Sequence, residues 1–317
     1  MRAMVIPRFG DPDVFEERHV ETPIPGAGEV LVRVIASGTN PVDAKIRANG
    51  TWAGIVPPAI LGYDAAGVIE QAGAGVSDFA AGDEVYYTPM IHGNQMGTYA
   101  EYEVVPASIV APKPKNLSFV EAAAVPLAGG TAYEAIVRRL RLHVGQRILI
   151  HGGAGGVGSF AVQIAKAAGA FVLATASATH QATLTALGAD VAIDYQRERP
   201  SEAVQRATGG DGVDAVFDTV GDRLIADSIE VVRPFGHLAT ILDPEGDLRG
   251  FTFANLTLHG IFLTRERERL EELTRLIERG QVRPLVDEVL PLEQVRKAHE
   301  RLDSGHGKGK IVLRVAT

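Results

Sequence analysis

The chain has 317 residues, of which 46% are hydrophobic and 22% charged, and it contains no cysteine. That length exceeds the usual single-domain size and predicts two domains, each with its own core. A formal charge of −8 argues against a nucleic-acid or anionic-membrane partner, no apolar run reaches the roughly 18–20 residues that a bilayer demands, and the missing cysteines exclude disulfides, thiolate metal sites and a cysteine nucleophile.

The opening Met1-Arg2-Ala3-Met4-Val5-Ile6-Pro7 is too short and mixed for a signal peptide, so a cytoplasmic protein is expected. From Val5 to about Ile109 the chain is rich in Gly, Pro, Val and Thr, with short alternating or apolar stretches such as Glu29–Val34 and Ala66–Glu70. Turn signals at Gly10-Asp11-Pro12-Asp13 and Ala81-Gly82-Asp83-Glu84 separate them, which predicts a mostly β domain. Near Leu117 the texture changes: Ser118 is a helix N-cap with Glu121 three residues on, ahead of the apolar Ala122–Val125. From Arg147 onward strands and helices alternate, with strands expected at Ile148–Ile150, Phe171–Ala174, Val191–Ile193, Ala215–Phe217 and His237–Ile241. All but the third are almost wholly apolar, as strands covered on both faces of a parallel sheet must be. A sixth strand over Leu256–Leu263 would close one edge of that doubly wound sheet and, being apolar and terminal, would serve as the seam of a homodimer. The run Arg265–Glu272 alternates in sign and reads as a solvated helix face, and Lys310–Val315 reads as a last strand returning to the first domain.

The segment Gly152-Gly153-Ala154-Gly155-Gly156-Val157-Gly158 contains the spacing G-x-G-x-x-G between the first of those strands and the helical pattern Phe160–Ala165. One glycine permits the tight turn, a second lets backbone approach a pyrophosphate, and the third lets helix and strand pack closely, while the helix N-terminus faces the phosphates. Gly153, Gly155, Gly156, Val157 and Gly158 are therefore expected to bind a dinucleotide. In such a sheet the end of the second strand faces the adenosine ribose, and an acid there selects NAD. Here Ala174-Thr175-Ala176-Ser177-Ala178-Thr179-His180 holds no carboxylate, so a 2′-phosphate meets no repulsion; NADPH is expected over NADH, with Ser177 in the ribose pocket and His180 a possible cation.

With these features on the page, the sequence resembles the medium-chain dehydrogenase/reductase superfamily, and within it the zinc-independent quinone oxidoreductases of the zeta-crystallin-like branch. The resemblance runs essentially end to end and is carried by Gly38–Asp43, Gly62–Gly67, Gly82–Val85, Gly97–Tyr102, Ala128–Tyr133 and the glycine turn. It implies an α/β protein with a GroES-like mostly-β catalytic domain over 1–123, completed by 265–317, and a doubly wound Rossmann dinucleotide-binding domain over 124–264. Zinc-dependent members place a cysteine just after the glycine of the first segment and a histidine-glutamate pair after that of the second; this chain has Thr39 and Asn40, then Tyr63 and Asp64, so no metal is expected.

The resemblance further implies direct hydride transfer from NADPH to a small acceptor, a quinone or an α,β-unsaturated carbonyl. It places Asn40 and Asp43 beside the nicotinamide with Tyr63 nearby, Asn40 to hydrogen-bond an acceptor carbonyl and Tyr63 to donate a proton or fill the pocket. Asp43 has a plainer reading as the cap of a following helix, and Asn40-Pro41 one as a turn. By the same resemblance Thr131 faces the nicotinamide, Ser177, His180 and Tyr195 surround the 2′-phosphate, Thr219 and Val220 pass the nicotinamide ribose, and Lys310 lies near the cofactor unless it is a surface lysine. Trp52 and the stretch Tyr86–His92 are candidates for an acceptor pocket. Two other functions fit the residues: an enoyl-thioester reductase, or a catalytically idle NADPH-binding protein.

Overall fold

Side-chain alternation along Glu29–Gly38 builds the longest strand of the protein, with Val30, Val32 and Val34 fully buried and Arg33 and Ile35 turned partly outward. The computed structural model describes residues 1–316 and divides the chain into two units. The first comprises Met1–Ala128, Thr264–Arg279 and Pro284 onward; the second comprises Gly129–Leu263 with Gly280–Arg283.

In the first unit Glu29–Gly38 lies inside a seven-stranded sheet, paired antiparallel with Ala65–Ala72, with Tyr102–Pro106 and with the C-terminal strand Lys310–Arg314. Lys310–Arg314 pairs in turn, parallel, with Val286–Pro291, so this sheet joins strands from the first third of the chain to its last two. Glu16–His19, Arg2–Ile6 and Ala59–Ile60 form a separate antiparallel sheet. The helix Pro41–Asn49 follows the long strand directly, with Asn40 extended at its N-cap and Pro41 at its first position, where a missing N–H costs nothing. Phe119–Ala123 is helical behind a capping box: the Ser118 N–H donates to Glu121 Oε2 at 2.9 Å, and the Glu121 N–H donates to Ser118 Oγ at 3.3 Å.

The helix Arg267–Glu278 departs from the expectation for its charged run. Arg269 is 2% exposed, on the face that buries Leu270, Leu273 and Ile277. Its guanidinium donates to the Thr264 carbonyl at 2.6 Å, to Thr264 Oγ1 at 2.9 Å and to Glu266 Oε1 at 2.9 Å. Acceptors supplied by the preceding turn make the burial possible, and sign alternation alone does not register them.

The second unit is a single parallel sheet. Its strands are β1 (Arg147–His151), β2 (Phe171–Ala176), β3 (Val191–Asp194), β4 (Val213–Asp218), β5 (Val232–Thr240) and β6 (Thr257–Gly260), in the order β3-β2-β1-β4-β5-β6. Every pairing is parallel. β4 is buried along its whole length, as its apolar centre Ala215–Phe217 demands, and the burial includes Asp214 and Asp218. The edge strand β6 is shorter than its sequence suggests, and its outer residues are exposed. The order reverses between β1 and β4, where His151 lies opposite Asp218, and ligands of such sheets bind beyond the strand ends at that point.

Candidate active site

Immediately after His151 the chain turns at Gly152, whose φ of +71° suits glycine. A Cβ there would lie 2.7 Å from Val220 Cγ2 and 2.8 Å from Thr219 Oγ1, so the turn and the loop after β4 are already in contact. The loop is fixed by Thr219 Oγ1 donating to the His151 carbonyl at 2.8 Å and by Asp218 Oδ1 accepting the Val220 N–H at 2.9 Å. The Gly153 N–H donates to the Thr175 carbonyl at 2.9 Å, tying the turn to β2. The helix Gly156–Ala167 then starts, with Gly155 extended at its N-cap. A Cβ on Gly158 would sit 2.1 Å from the Gly152 carbonyl oxygen, which forces glycine where helix meets turn. Together these features leave a side-chain-free cradle at the N-terminus of a twelve-residue helix, where backbone N–H groups lack intrahelical partners. A pyrophosphate fits it.

The register of β2 on β3 sets Ala176 opposite Asp194, so Ser177 and Tyr195 follow neighbouring strand ends. Gln181 Nε2 clamps those ends, donating to the Ala176, Ser177 and Ile193 carbonyls at 2.8, 3.2 and 3.2 Å. Ser177 Oγ lies 3.0 Å from Thr179 Oγ1, His180 is half-buried, and Tyr195 is exposed. Asp194 and Arg197, paired at 3.4 Å beside them, escaped the sequence reading. Thr131 is buried in the helix Pro126–Tyr133.

Asn40, Asp43, Tyr63 and Lys310 come together in the first unit as a buried polar cluster. Asn40 Nδ2 donates to Asp64 Oδ2 at 2.9 Å, and the Asn40 N–H donates to Asp43 Oδ2 at 2.9 Å. Lys310 Nζ donates to the Thr39 carbonyl at 2.7 Å, to Asp64 Oδ2 at 3.2 Å and to Asn40 Oδ1. All three of its protons are thereby engaged inside this unit, and Lys310 is neither a surface lysine nor a donor with a proton to spare. Asp64 Oδ1 accepts the Leu127 N–H at 2.7 Å. Burial pushes the Asp64 carboxyl upward, while Lys310, Asn40 and the Leu127 N–H oppose it.

Asp43 does cap its helix, as the plainer reading held, yet it is also fully buried. Burial pushes its carboxyl up to about 7 against donation from Tyr99 and Asn40 and attraction from Lys310. The Tyr63 hydroxyl and Asp43 Oδ1 are buried without a hydrogen-bond partner among the described residues. Burial, with Asp43 and Glu103 adding repulsion, drives the Tyr63 phenol far above its ordinary value, so it is a weak acid better suited to filling space.

Tyr99, Glu103, Arg265 and His299 belong to the same surroundings; Tyr99 lies in the Gly97–Tyr102 motif, and the other three carry no local sequence signal. Tyr87 donates to Glu103 Oε2 at 2.8 Å, and burial raises the Glu103 carboxyl to about 8. Arg265 Nε donates to the Pro89 carbonyl at 2.9 Å, and its guanidinium, brought down to about 10 by burial, is attracted to Asp64 and Tyr63.

Known proteins agree with this architecture. Residues 26–115 match the family described as alcohol dehydrogenase GroES-like domain, and residues 187–313 match the one described as zinc-binding dehydrogenase. The chain is 36% identical over 323 residues to an NADPH-dependent alkenal/one oxidoreductase, chloroplastic, of Arabidopsis thaliana, covering 99% of this chain and 79% of that one. Among solved structures, a protein described as an NAD-dependent alcohol dehydrogenase superposes with TM-score 0.94 at 34% identity, with all of both chains covered. The quinone oxidoreductase from Coxiella burnetii superposes with TM-score 0.90 at 31% identity, covering 99% of each chain. The chain belongs to the medium-chain dehydrogenase/reductase superfamily. Within it, the chain falls in the quinone-oxidoreductase-like branch.

The titrations have a measurable consequence for stability. Asp43 and Glu103 keep their protons to about 7 and about 8 in the folded state, whereas their unfolded values are 3.8 and 4.5. His299 and His151, buried and held at about 3 and about 4, act oppositely below their unfolded 6.5. The two pairs offset each other between the unfolded carboxyl and histidine values. From pH 6.5 to 8 only the carboxyls act, so stability falls as pH rises, by up to about 1.4 kcal/mol per pH unit for each. Glu103→Gln keeps the acceptor for Tyr87 and should remove the larger part of the slope in thermal unfolding between pH 7 and 8, where Asp43 has already lost most of its proton; an unchanged slope would show that Glu103 is ionised when folded.

Proposed function

We propose that the protein is a zinc-independent reductase that uses NADPH to reduce α,β-unsaturated carbonyls or quinones. The observation that carries the zinc-free reading is the position of Lys310. Its ammonium is bonded to Thr39, Asn40 and Asp64, at both of the places where zinc-dependent relatives set their ligands. A fixed cation there repels a second one, and the amide, backbone carbonyl and carboxylate oxygens around it are already turned to its protons. Among the described residues no group of three or more histidine, aspartate or glutamate side chains is arranged to hold a metal.

Bound in the glycine cradle, the nicotinamide would supply a hydride. The remaining tasks fall to the chain. Gly153, Gly155, Gly156, Val157 and Gly158 hold the pyrophosphate through backbone and helix N-terminus. Thr219 and Val220 face the same turn and would contact the nicotinamide ribose, and Thr131 the nicotinamide. Ser177, His180 and Tyr195 would receive the adenosine 2′-phosphate, since no carboxylate stands at the end of β2. The Arabidopsis relative supports NADPH. In the first unit, Asn40 keeps one Nδ2 proton for an acceptor oxygen while its other contacts hold it still. We further propose a cytoplasmic homodimer joined along β6, on the ground that β6 is a short, half-exposed edge strand.

Following NADPH absorbance with a panel of benzoquinones, naphthoquinones, alkenals and an enoyl thioester tests the activity. Turnover with an enone or quinone is expected; tight NADPH binding with no acceptor reduced would leave the idle-binder function standing. Ser177→Asp should shift preference toward NADH by tenfold or more, a factor worth about 1.4 kcal/mol, and unaltered selectivity would remove Ser177 from the ribose pocket. Sedimentation at micromolar concentration should give a dimer, and a monomer would discard the β6 seam.

A further inference from the structure

We propose that Asp43 rests as a neutral carboxylic acid with its proton on Oδ1, positioned by Tyr99, His299 and Arg47, and that it supplies the proton consumed when the acceptor is reduced. The second half of this proposal rests on the reductase reading; the first half does not.

Four side chains from three distant segments form one hydrogen-bonded line. The helix Pro41–Asn49 contributes Asp43 and, one turn later, Arg47; the helix Val295–Ser304 contributes His299; Tyr99 stands between. An arginine can only donate, so His299 Nδ1, 3.2 Å from Arg47 Nη1, accepts. The ring proton therefore sits on Nε2, which donates to the Tyr99 hydroxyl oxygen at 3.3 Å. That leaves the Tyr99 O–H to donate to Asp43 Oδ2 at 2.7 Å. Arg47 sets the polarity of the whole line, and is itself held by the Gly10 carbonyl at 2.9 Å and Asp303 Oδ2 at 2.8 Å. The line cannot carry protons in from solvent, because it ends on a guanidinium that does not give one up. Its effect is positional.

The carboxyl of Asp43 is then asymmetric. Oδ2 accepts from two donors, the Asn40 N–H and Tyr99, while Oδ1 has no partner among the described residues and is buried. On the other side of Asn40 lies Asp64, whose two oxygens take the Leu127 N–H, Asn40 Nδ2 and Lys310. The cations nearby serve Asp64, since Lys310 is bonded to it and Arg265 is attracted to it, so an ionised Asp43 would be a buried carboxylate with no cation bonded to it. The proton that restores neutrality belongs on the oxygen that no donor occupies, Asp43 Oδ1. The other charged or titratable groups facing Asp43 are Tyr63, too weak an acid to compete, and Asp64, whose charge favours the proton further.

For an enone the atoms balance as follows. Hydride brings two electrons to the β-carbon, and the C=C pair moves to make an enolate. The enolate α-carbon then takes the Oδ1 proton, leaving Asp43 a carboxylate; the Tyr99 line cannot return a proton, so one comes back from solvent on the Oδ1 side once the product has left. Enone, NADPH and one proton become the saturated carbonyl and NADP⁺.

The test uses the whole protein with 13C-labelled aspartate carboxyls, which leaves Glu103 silent, and follows the carboxyl resonances of the free protein across pH 5 to 9. One aspartate should titrate near neutrality and vanish in Asp43→Asn. Tyr99→Phe removes a donor to the anion, so the midpoint should rise by about one pH unit. In turnover, kcat with an enone should fall about tenfold per pH unit above the same midpoint, and Tyr99→Phe should carry both midpoints upward together. A merely structural Tyr99 would move neither. An Asp43 already ionised at pH 6 overturns the resting state, and a kcat limb that stays put while the carboxyl midpoint moves overturns the proton source. If Asp43→Asn does not fold, the Tyr99→Phe shift makes the assignment. If no acceptor is reduced, the proton source falls with the reductase reading, and the free-protein titration still decides the resting state.

Discussion

A lysine ammonium that is 4% exposed governs the architecture of the first unit. Removing such an ion from water costs several kcal/mol, offset only if every proton finds an acceptor in good geometry. For Lys310 the acceptors are the Thr39 carbonyl, Asn40 Oδ1 and Asp64 Oδ2, drawn from two segments far upstream. To satisfy it, the C-terminal strand must lie against Glu29–Gly38 in one register, with Val312 opposite Gly38. That register puts Asn40 at the start of its helix, where its backbone N–H meets Asp43 and its side chain meets Asp64. The arrangement of the whole cluster thus follows from the need to neutralise one charge.

How legible each part was depends on how local its physics is. The parallel strands announced themselves because burial on both faces leaves an apolar centre, as at Ala215–Phe217 in β4, with Asp214 and Asp218 toward its ends. The glycine turn was equally plain: Gly152 needs a positive φ and Gly158 has no room for a Cβ, so the residue type is dictated by its immediate neighbours. The cluster in the first unit was only partly visible. Asn40, Asp43 and Tyr63 stood out by resemblance, but Tyr99 and His299 meet across 200 residues, and no short-range pattern encodes that contact. Lys310 stood out by resemblance as well, but the groups that allow its burial lie 246 to 271 positions away. Arg269 was read as solvated for the same reason, since its acceptors depend on how Thr264 turns.

The two units solve electrostatics in opposite ways. The second presents backbone dipoles, with uncharged glycines leaving N–H groups free at a helix start, an arrangement that favours an anionic ligand without committing a side-chain charge. The first encloses full charges and holds them with directional partners, yet Asp43 Oδ1 and the Tyr63 hydroxyl are among its buried polar atoms that have no hydrogen-bond partner among the described residues. Buried groups of that kind are costly, and they gather where chemistry needs them.

The strand Lys310–Arg314 also bears on how the protein is made. It threads between Glu29–Gly38 and Val286–Pro291, so the first unit is assembled from both extremities of the chain. The second unit is nearly continuous, from Gly129 to Leu263. On a ribosome, which releases sequence from the N-terminus, the sheet that begins first has to wait for its last strand. Until Lys310 emerges, Asp64 lacks the ammonium that bonds it and the edge of Glu29–Gly38 that receives the last strand lies open. The Rossmann unit, encoded later, has all six of its strands earlier, and the nascent protein passes through a stage in which the nucleotide-binding half is complete and the other half is still an unfinished sheet.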